Sequence, residues 1–348
     1  MIRWRVLLIL SSAVLILSVA VLLWCHHWLH QPMVFESPHE DGVTVKIGPG
    51  DTLSKVAYSL ASNGVLLHPK ILTLYARFTQ QTRVNIGEYR VQTQMSPVDL
   101  LALLQSDAVI EYTVTFVEGK TFKEFLAALA NEPKITHTFA GKSIAEVMAD
   151  LGLSISHPEG WFFPDTYFYT EGTTDKAILI RAHRRMQQVL ESQWQQRAPK
   201  GLPYNSAYKA LIMASIVEKE TGDPSERAQI AGVFVRRLQK GMRLQTDPTV
   251  IYGLGERYKG NIRRRHLSEP TPYNTYVING LPPTPIAMPG EDAIHAALHP
   301  APGSALFFVA KGNGSHYFSA TLAEHNKAVR RYQIEKRSSN YRSAPASR

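Results

Sequence analysis

The chain has a single cysteine, Cys25, in 348 residues. That excludes an internal disulfide and any metal cage built from cysteine thiolates. Acidic residues are the scarcer charge: 29 Asp and Glu against 38 Lys and Arg leave a formal net charge of +9. Such an imbalance favours a polyanionic partner. No nucleic-acid motif accompanies it, and Arg263-Arg264-Arg265-His266 is short enough to be a solvated loop, so nucleic acid is not an expected partner. Anionic lipid head groups and carboxylate-bearing polymers remain. The HExxH metal signature is also missing. The nearest arrangement, His295 and His299 one helical turn apart with Glu291 before them, is cut short by Pro300.

What is present begins at the N-terminus. After Arg3 and Arg5, Val6 to Cys25 carry no charge and are nearly all Leu, Val, Ile, Ala or Ser. Twenty helical residues rise roughly 30 Å, the thickness of a bilayer core. Trp24, His26 and His27 fit an interface, and the two arginines favour a cytoplasmic N-terminus with the rest outside. Ser18-Val19-Ala20 loosely fits a signal-peptidase site, but the apolar run continues through Trp24 where a polar stretch is expected. Bulky Trp24 before Cys25 also disfavours a lipoprotein. The reading is an uncleaved anchor over 1–25.

Residues 26–42, with Pro32, Ser37, Pro38 and Gly42, read as a linker. A repeat at an offset of 69 follows. Thr44, Val45, Gly50, Thr52, Leu60 and Ala61 are matched by Thr113, Val114, Gly119, Thr121, Leu129 and Ala130. Each copy is an alternating strand, a glycine turn, a threonine cap and an amphipathic helix. The first copy, around Gly50-Asp51-Thr52-Leu53, resembles a LysM module, a class that binds glycans containing N-acetylglucosamine. Small α/β units are therefore expected over 43–140, and a mainly helical domain over 141–336. Helices are expected at 143–151, 174–197, 206–220, 224–240, 248–254, 291–298 and 321–336, with a hairpin around Lys311-Gly312-Asn313-Gly314. Residues 337–348 read as a loose basic tail.

The most informative stretch is Asn205 to Glu220. Ala207, Leu211, Ala214 and Glu218 share one stripe, and Ile212, Met213 and Ile216 make the other side apolar. A helix apolar almost all round is normally buried. Gly222 reads as the residue that stops it. Asp223, Pro224 and Glu226 read as the N-cap, N1 and N3 of the next helix, with Glu226 ionised as a cap. Burial and the helix C-terminus both disfavour the ionised form of Glu218. A carboxylic acid still protonated near neutrality is what glycosidic cleavage requires. The alternative is a helix-end residue paired with Lys219 or Arg227. Glu220 points about 160° away, so the two glutamates are not a same-face pair.

Further motifs stand in order: Glu159-Gly160-Trp161-Phe162-Phe163-Pro164-Asp165-Thr166-Tyr167, Ala214 to Glu220, Leu244-Gln245-Thr246-Asp247-Pro248-Thr249-Val250-Ile251-Tyr252, Pro272-Tyr273-Asn274-Thr275-Tyr276, Gly280-Leu281-Pro282-Pro283 and Pro289-Gly290. Behind an N-terminal anchor, this series resembles the endolytic murein transglycosylase (YceG-like) family over nearly the whole chain. Arg236 and Thr284 depart from the family pattern, which favours Asn and Gly there.

The resemblance implies an enzyme that cuts nascent peptidoglycan strands internally and leaves 1,6-anhydro-N-acetylmuramic acid ends. Glu218 would be its catalytic residue, with Gln245, Asp247, Tyr252, Tyr273 and Asn274 lining the cleft. It implies no metal and no organic cofactor. It places the chain in a bacterial inner membrane, its catalytic domain periplasmic, near peptidoglycan synthases. On the residues alone, Asp247 with Pro248 reads as an N-cap and N1 pair. Gln245 and Asn274 could bond sugar substituents or cap loops. Tyr252, Tyr273 and Tyr276 offer faces for sugar rings, whereas Trp161, Phe162 and Phe163, three aromatics in a row, could do likewise but read more readily as core.

The fold class expected is α+β: a transmembrane helix, small LysM-like α/β units and a mainly helical catalytic domain of lytic-transglycosylase type. Rival readings are a metallohydrolase using His295 and His299, and a non-catalytic glycan-binding scaffold. From the uninterrupted apolar run, the mature chain is expected to keep Val6–Cys25. An intact mass corresponding to a start at Val21 would refute this.

Overall fold

The computed structural model describes residues 2–35 and 42–335. The expected basic tail, 337–348, and part of the expected linker lie outside them. The described chain forms two compact units, Met1–Tyr112 with Phe168–Gly172, and Thr113–Tyr167 with Thr173–Arg348.

The first unit opens with helix α1, Ile2–Leu29. Its stretch Leu7–Leu29 is long and apolar enough to cross a membrane, with mean hydropathy 2.7 in its most apolar part, none of which is buried. The helix runs past the expected linker start at residue 26. Trp24 and Trp28 pack their rings on His68, and Leu29 and Met33 are buried in the core. Met33 N–H donates to Met95 O at 2.8 Å. Apolar side chains in the supposed linker thus find a surface to bury against, and only its later part is unassigned.

Strand β1 (Val43–Ile47), helices α2 (Leu53–Ser62) and α3 (Pro69–Phe78) and strand β2 (Gly87–Val91) follow. The strands pair antiparallel, Val43 opposite Val91 and Ile47 opposite Gly87. Thr52 caps α2 by accepting from Lys55 N–H. Helix α4 (Pro97–Gln105) starts with a Ser96–Asp99 capping box and buries Leu100, Leu101 and Leu104.

Strands β3 (Tyr112–Thr115) and β4 (Thr166–Tyr169) make a second two-stranded sheet, and the division between the units falls within them. The second repeat copy therefore lies in the larger unit, which begins near residue 113. Its helix α5 (Phe122–Ala130) is capped by Thr121 and buries Phe122 and Phe125, the latter stacked on Phe116 at 4.2 Å.

Helices α6 (Ile144–Leu151), α7 (Asp175–Gln195), α8 (Ala207–Glu220), α9 (Arg227–Gln239), α10 (Asp247–Leu254), α11 (Arg264–Ser268) and α12 (Glu291–Leu298) continue this unit. The hairpin of β5 (Phe307–Ala310) and β6 (His316–Ser319) follows, then α13 (Leu322–Val329).

Helix α8 is the centre. Every residue from Ala210 to Val217 is buried, and α7, α9, α10 and α12 pack around it. Ser206 caps its start. Its end differs from expectation. Thr221 turns extended (φ −143°, ψ 137°), and Gly222 is not among the glycines of positive φ. An extended Thr suffices to break the helix, so no left-handed glycine is needed. Asp223 then caps a short 3-10 turn, Pro224–Glu226, ahead of α9. Glu226 does not cap: its carboxylate accepts from His316 N–H and contacts His316 Nδ1 at 2.7 Å. A buried partner from the hairpin has displaced the local one.

One side-chain bond fixes the segment that follows the Pro-rich loop onto α8. Ser215 Oγ donates to Ile212 O and accepts from the buried Ile286 N–H at 3.0 Å. Ser215→Ala would leave that N–H unsatisfied, and is expected to destabilise the protein by about 1–3 kcal/mol. The check is a lowered urea midpoint at unchanged slope.

Candidate active site

Glu218 sits in the last turn of α8, its side chain only 6 % exposed. Oε1 lies 3.3 Å from Arg227 Nη2, and Oε2 accepts from Gly290 N–H at 3.0 Å. Arg227 comes from the first turn of α9, and Gly290 is the N-cap of α12. The sharp reversal at Thr221–Glu226 and the Ser215–Ile286 bond together bring these groups to one carboxyl. Burial pushes the Glu218 pKa up, opposed by the Arg227 charge and the Gly290 N–H and aided by Glu118. The group is thus both buried, as its stripe predicts, and paired with Arg227, as the simpler alternative predicts.

Glu118 and Arg227 complete the centre. Glu118 Oε2 lies 3.4 Å from the same Arg227 Nη2, and Asp292 Oδ2 lies 3.0 Å from Nη1. Sequence reasoning gave Glu118 no role. The one available signal was in the repeat, where Pro49 in the first copy becomes Glu118 in the second.

Glu220 faces other partners. Its Oε1 accepts from Thr246 Oγ1, and removal from water pushes its pKa up to about 7. It lines a cavity of about 880 Å³ together with Gln245, Asp247, Arg237 and Tyr276, and Glu218 is not among the lining residues. Gln245 is exposed, held at φ +54°, with its Oε1 accepting from Arg237. A non-glycine residue in that region costs about 1 kcal/mol, so its neighbours hold it there. Asp247 is the first residue of α10 and Thr246 is the N-cap, which corrects the capping role read from Asp247-Pro248. The Asp247 carboxylate accepts from Tyr276 O–H at 2.7 Å. Asn274 is buried. Its amide donates to the carbonyls of His266, Leu267 and Glu269, and its Oδ1 accepts from Tyr276 N–H. It shapes a loop, and its hydrogen-bonding groups are occupied.

The aromatics form a separate group. Tyr252 and Tyr273 meet edge to face at 4.9 Å, Trp161 stacks on Tyr208 at 5.5 Å, and all four are half-buried. Phe162 and Phe163 are core. Of the residues expected to work together, Gln245 and Asp247 share the Glu220 cavity, Tyr252 and Tyr273 share the aromatic group, and Glu218 stands with Arg227, Gly290 and Glu118. His295 and His299 stack on each other at 4.2 Å and contact Gln193 and Gln196, respectively.

The described chain thus combines a helix long and apolar enough to cross a membrane, a small α/β unit and a mainly helical unit that holds a buried carboxyl at the end of its central helix. The chain belongs to the YceG-like family, whose profile matches residues 45–331. It is 33 % identical over 314 residues to an endolytic murein transglycosylase of Bacillus subtilis (strain 168), covering 85 % of this chain and 86 % of that protein. An endolytic murein transglycosylase of Streptococcus pneumoniae serotype 2 is 30 % identical over 320 residues, covering 82 % of this chain but 58 % of the longer relative. A crystal structure of a YceG-like protein from Listeria monocytogenes matches with TM-score 0.50 and 30 % identity, over 83 % of this chain and 99 % of that one.

Glu159 yields a test independent of chemistry. It is 5 % exposed, Oε1 accepts from Phe122 N–H, Oε2 is buried without a partner, and burial pushes its pKa to about 7. A carboxyl raised above its unfolded value contributes fully below about pH 4, and that contribution is lost as pH rises through 7. Glu159→Gln, which keeps the bond to Phe122, is therefore expected to be more stable than the parent above pH 7. The gain, up to about 3 kcal/mol, should shrink as pH falls and vanish below about pH 4. Chemical denaturation at three pH values measures it.

Proposed function

We propose that the chain is an endolytic peptidoglycan lytic transglycosylase with Glu218 as its acid and base. The observation that carries this reading is the burial of Glu218 beside Arg227 and the Gly290 N–H, in a chain whose relatives are named endolytic murein transglycosylases. Ordinary glycosidases divide the work between two carboxylates. Here one can serve twice. Protonated Glu218 gives its proton to the glycosidic oxygen between N-acetylmuramic acid and N-acetylglucosamine as the C1–O bond breaks. The substrate's own N-acetyl oxygen stabilises C1. The Glu218 carboxylate, now compensated by Arg227, takes the proton of the C6 hydroxyl as O6 bonds C1. No water is consumed, and the product end is 1,6-anhydro-N-acetylmuramic acid.

Tyr252 and Tyr273 supply amphipathic faces for sugar rings. Gln245 and Asp247 supply exposed polar groups for the glycan's amides and hydroxyls. Asn274 acts through the loop it holds. The β1-α2-α3-β2 order of the first unit supports a LysM-like, glycan-binding role for it. Helix α1 anchors the chain in the bacterial inner membrane, N-terminus cytoplasmic, with the catalytic unit on the periplasmic side near the synthases that supply new strands. Cleavage there ends strand elongation.

A second assignment has one specific observation behind it: Glu220, raised to about 7, lines the cavity of about 880 Å³. The two are separated with the full-length chain in detergent, incubated with purified glycan strands. Glu218→Gln is expected to lose at least a hundredfold in rate with native-like melting, and Glu220→Gln to lose less. Mass spectrometry of wild-type products should find ends lighter by one water than reducing ends. An active E218Q, an inactive E220Q or mainly reducing ends would reject the corresponding part.

A further inference from the structure

We propose that Glu118 is a positioning residue of this centre, sharing Arg227 with Glu218 so that Glu218 keeps its proton until the substrate takes it. The proposal rests on the assignment of Glu218 as the acid.

The geometry of Arg227 carries it. Nη2 is 3.3 Å from Glu218 and 3.4 Å from Glu118, so the two carboxyl oxygens lie no farther apart than those distances together. Arg227 is buried, with its side chain 9 % exposed, and its Nε has no partner. A lone guanidinium against a buried carboxyl would hold it ionised, lowering its proton affinity by roughly 1–3 pH units. Three carboxyl groups share this one. Glu118 comes from the loop before α5, Glu218 from α8, and Asp292, on Nη1, from α12. The neighbouring cation, Lys219, is engaged with Gly119 O at 3.1 Å. The charge available to Glu218 is correspondingly divided.

Glu118 is held in place from two sides. Gly119 N–H donates to Met288 O and Met288 N–H to Lys120 O, both at 2.8 Å, with Gly119 at φ +73°. This short ladder ties the Glu118 loop to the segment bearing Gly290. Gly290 has ordinary backbone angles (φ −76°), so its lack of a side chain is not a conformational need. It is a spatial one: a Cβ there would fall 1.9 Å from Glu118 Oε1. The glycine whose N–H serves Glu218 is thus also the floor on which Glu118 lies.

The exposures differ as a relay would require. The Glu118 side chain is 47 % exposed and that of Glu218 is 6 %. When Glu218 has given up its proton, Glu118 can be solvated by water, and Arg227 turns wholly to the new carboxylate. When the C6 proton returns to Glu218, Arg227 is shared again. One arginine serves both halves of the cycle because the second claimant is at the surface.

The test uses the full-length chain in detergent, with glutamate carboxyls labelled with ¹³C and Glu218 assigned by its loss in E218Q. In Glu118→Gln the Glu218 midpoint is expected to fall by about one pH unit, with the alkaline limb of activity on glycan strands moving alike. Glu118→Asp, which keeps the charge, should return both toward wild type. Gly290→Ala, acceptable to the backbone but displacing the Glu118 carboxyl, should reproduce the E118Q shift. A folded E118Q with the wild-type midpoint and pH profile overturns the proposal, as does a G290A that leaves both unmoved. If E218Q remains active while E118Q still moves the Glu218 midpoint, the coupling stands and the assignment of the acid falls.

Discussion

The Glu218 carboxyl is drawn out of water by a helix with no polar face, and the surrounding unit is arranged around the cost of keeping it there. An isolated buried carboxylate costs several kcal/mol, so it must be neutral, paired or both. Helix α8 cannot help, since Ala210 to Val217 are all buried and apolar apart from Ser215. Compensation arrives from elsewhere. Thr221–Glu226 reverses the chain to bring Arg227 beside Glu218. Ser215 pins Ile286, so that Gly290 arrives one turn later on the same stripe. Met288, between them, binds the Glu118 loop. Each contact is ordinary alone; together they surround one oxygen pair.

The parts legible in the sequence are those set by local periodicity and capping. The stripe from Ala207 to Glu218, the helix at 291–298 and the hairpin around Lys311 follow from residue spacing, because neighbours in sequence are neighbours in space there. The misreadings share one cause. Gly222, Glu226 and Asp247 each look like a cap, and each gives way to a nonlocal partner or a neighbour: Thr221 ends the helix, His316 takes Glu226, and Tyr276 takes Asp247. The contacts of Glu118 and Glu159 are hidden from the sequence for the same reason. Glu118 is 109 residues from Arg227, and Glu159 is 37 from Phe122.

The repeat shows how one local unit acquires two uses. Gly50 and Gly119 both take positive φ, and Thr52 and Thr121 both cap the helix that follows. Turn chemistry is thus conserved between copies, because it is internal to each. The difference lies in the residue before the glycine. Pro49 in the first copy has no charge to deliver, whereas Glu118 in the second places a carboxylate on Arg227. A turn that presents one side chain at a fixed angle is a ready support for a polar group, and only the larger unit uses it so.

Helix α8 ends with two glutamates, and their surroundings separate their chemistry. Both are raised above the usual carboxylate range by loss of water. The groups acting on Glu220 are Thr246 and Asp247, a hydroxyl and another carboxylate. Among the described residues a single hydrogen bond, from Thr246, favours its charged form, so Glu220 is suited to remain an acid. Glu218 has Arg227 and a backbone N–H in place. A residue that protonates a leaving oxygen and then removes a proton within one turnover must be tolerable in both states. Desolvation, the larger influence, favours its neutral form, and the guanidinium, shared with Glu118, favours its ionised form. Opposing influences of this kind are what the proposed cycling of Glu218 requires, and burial alone would not supply them.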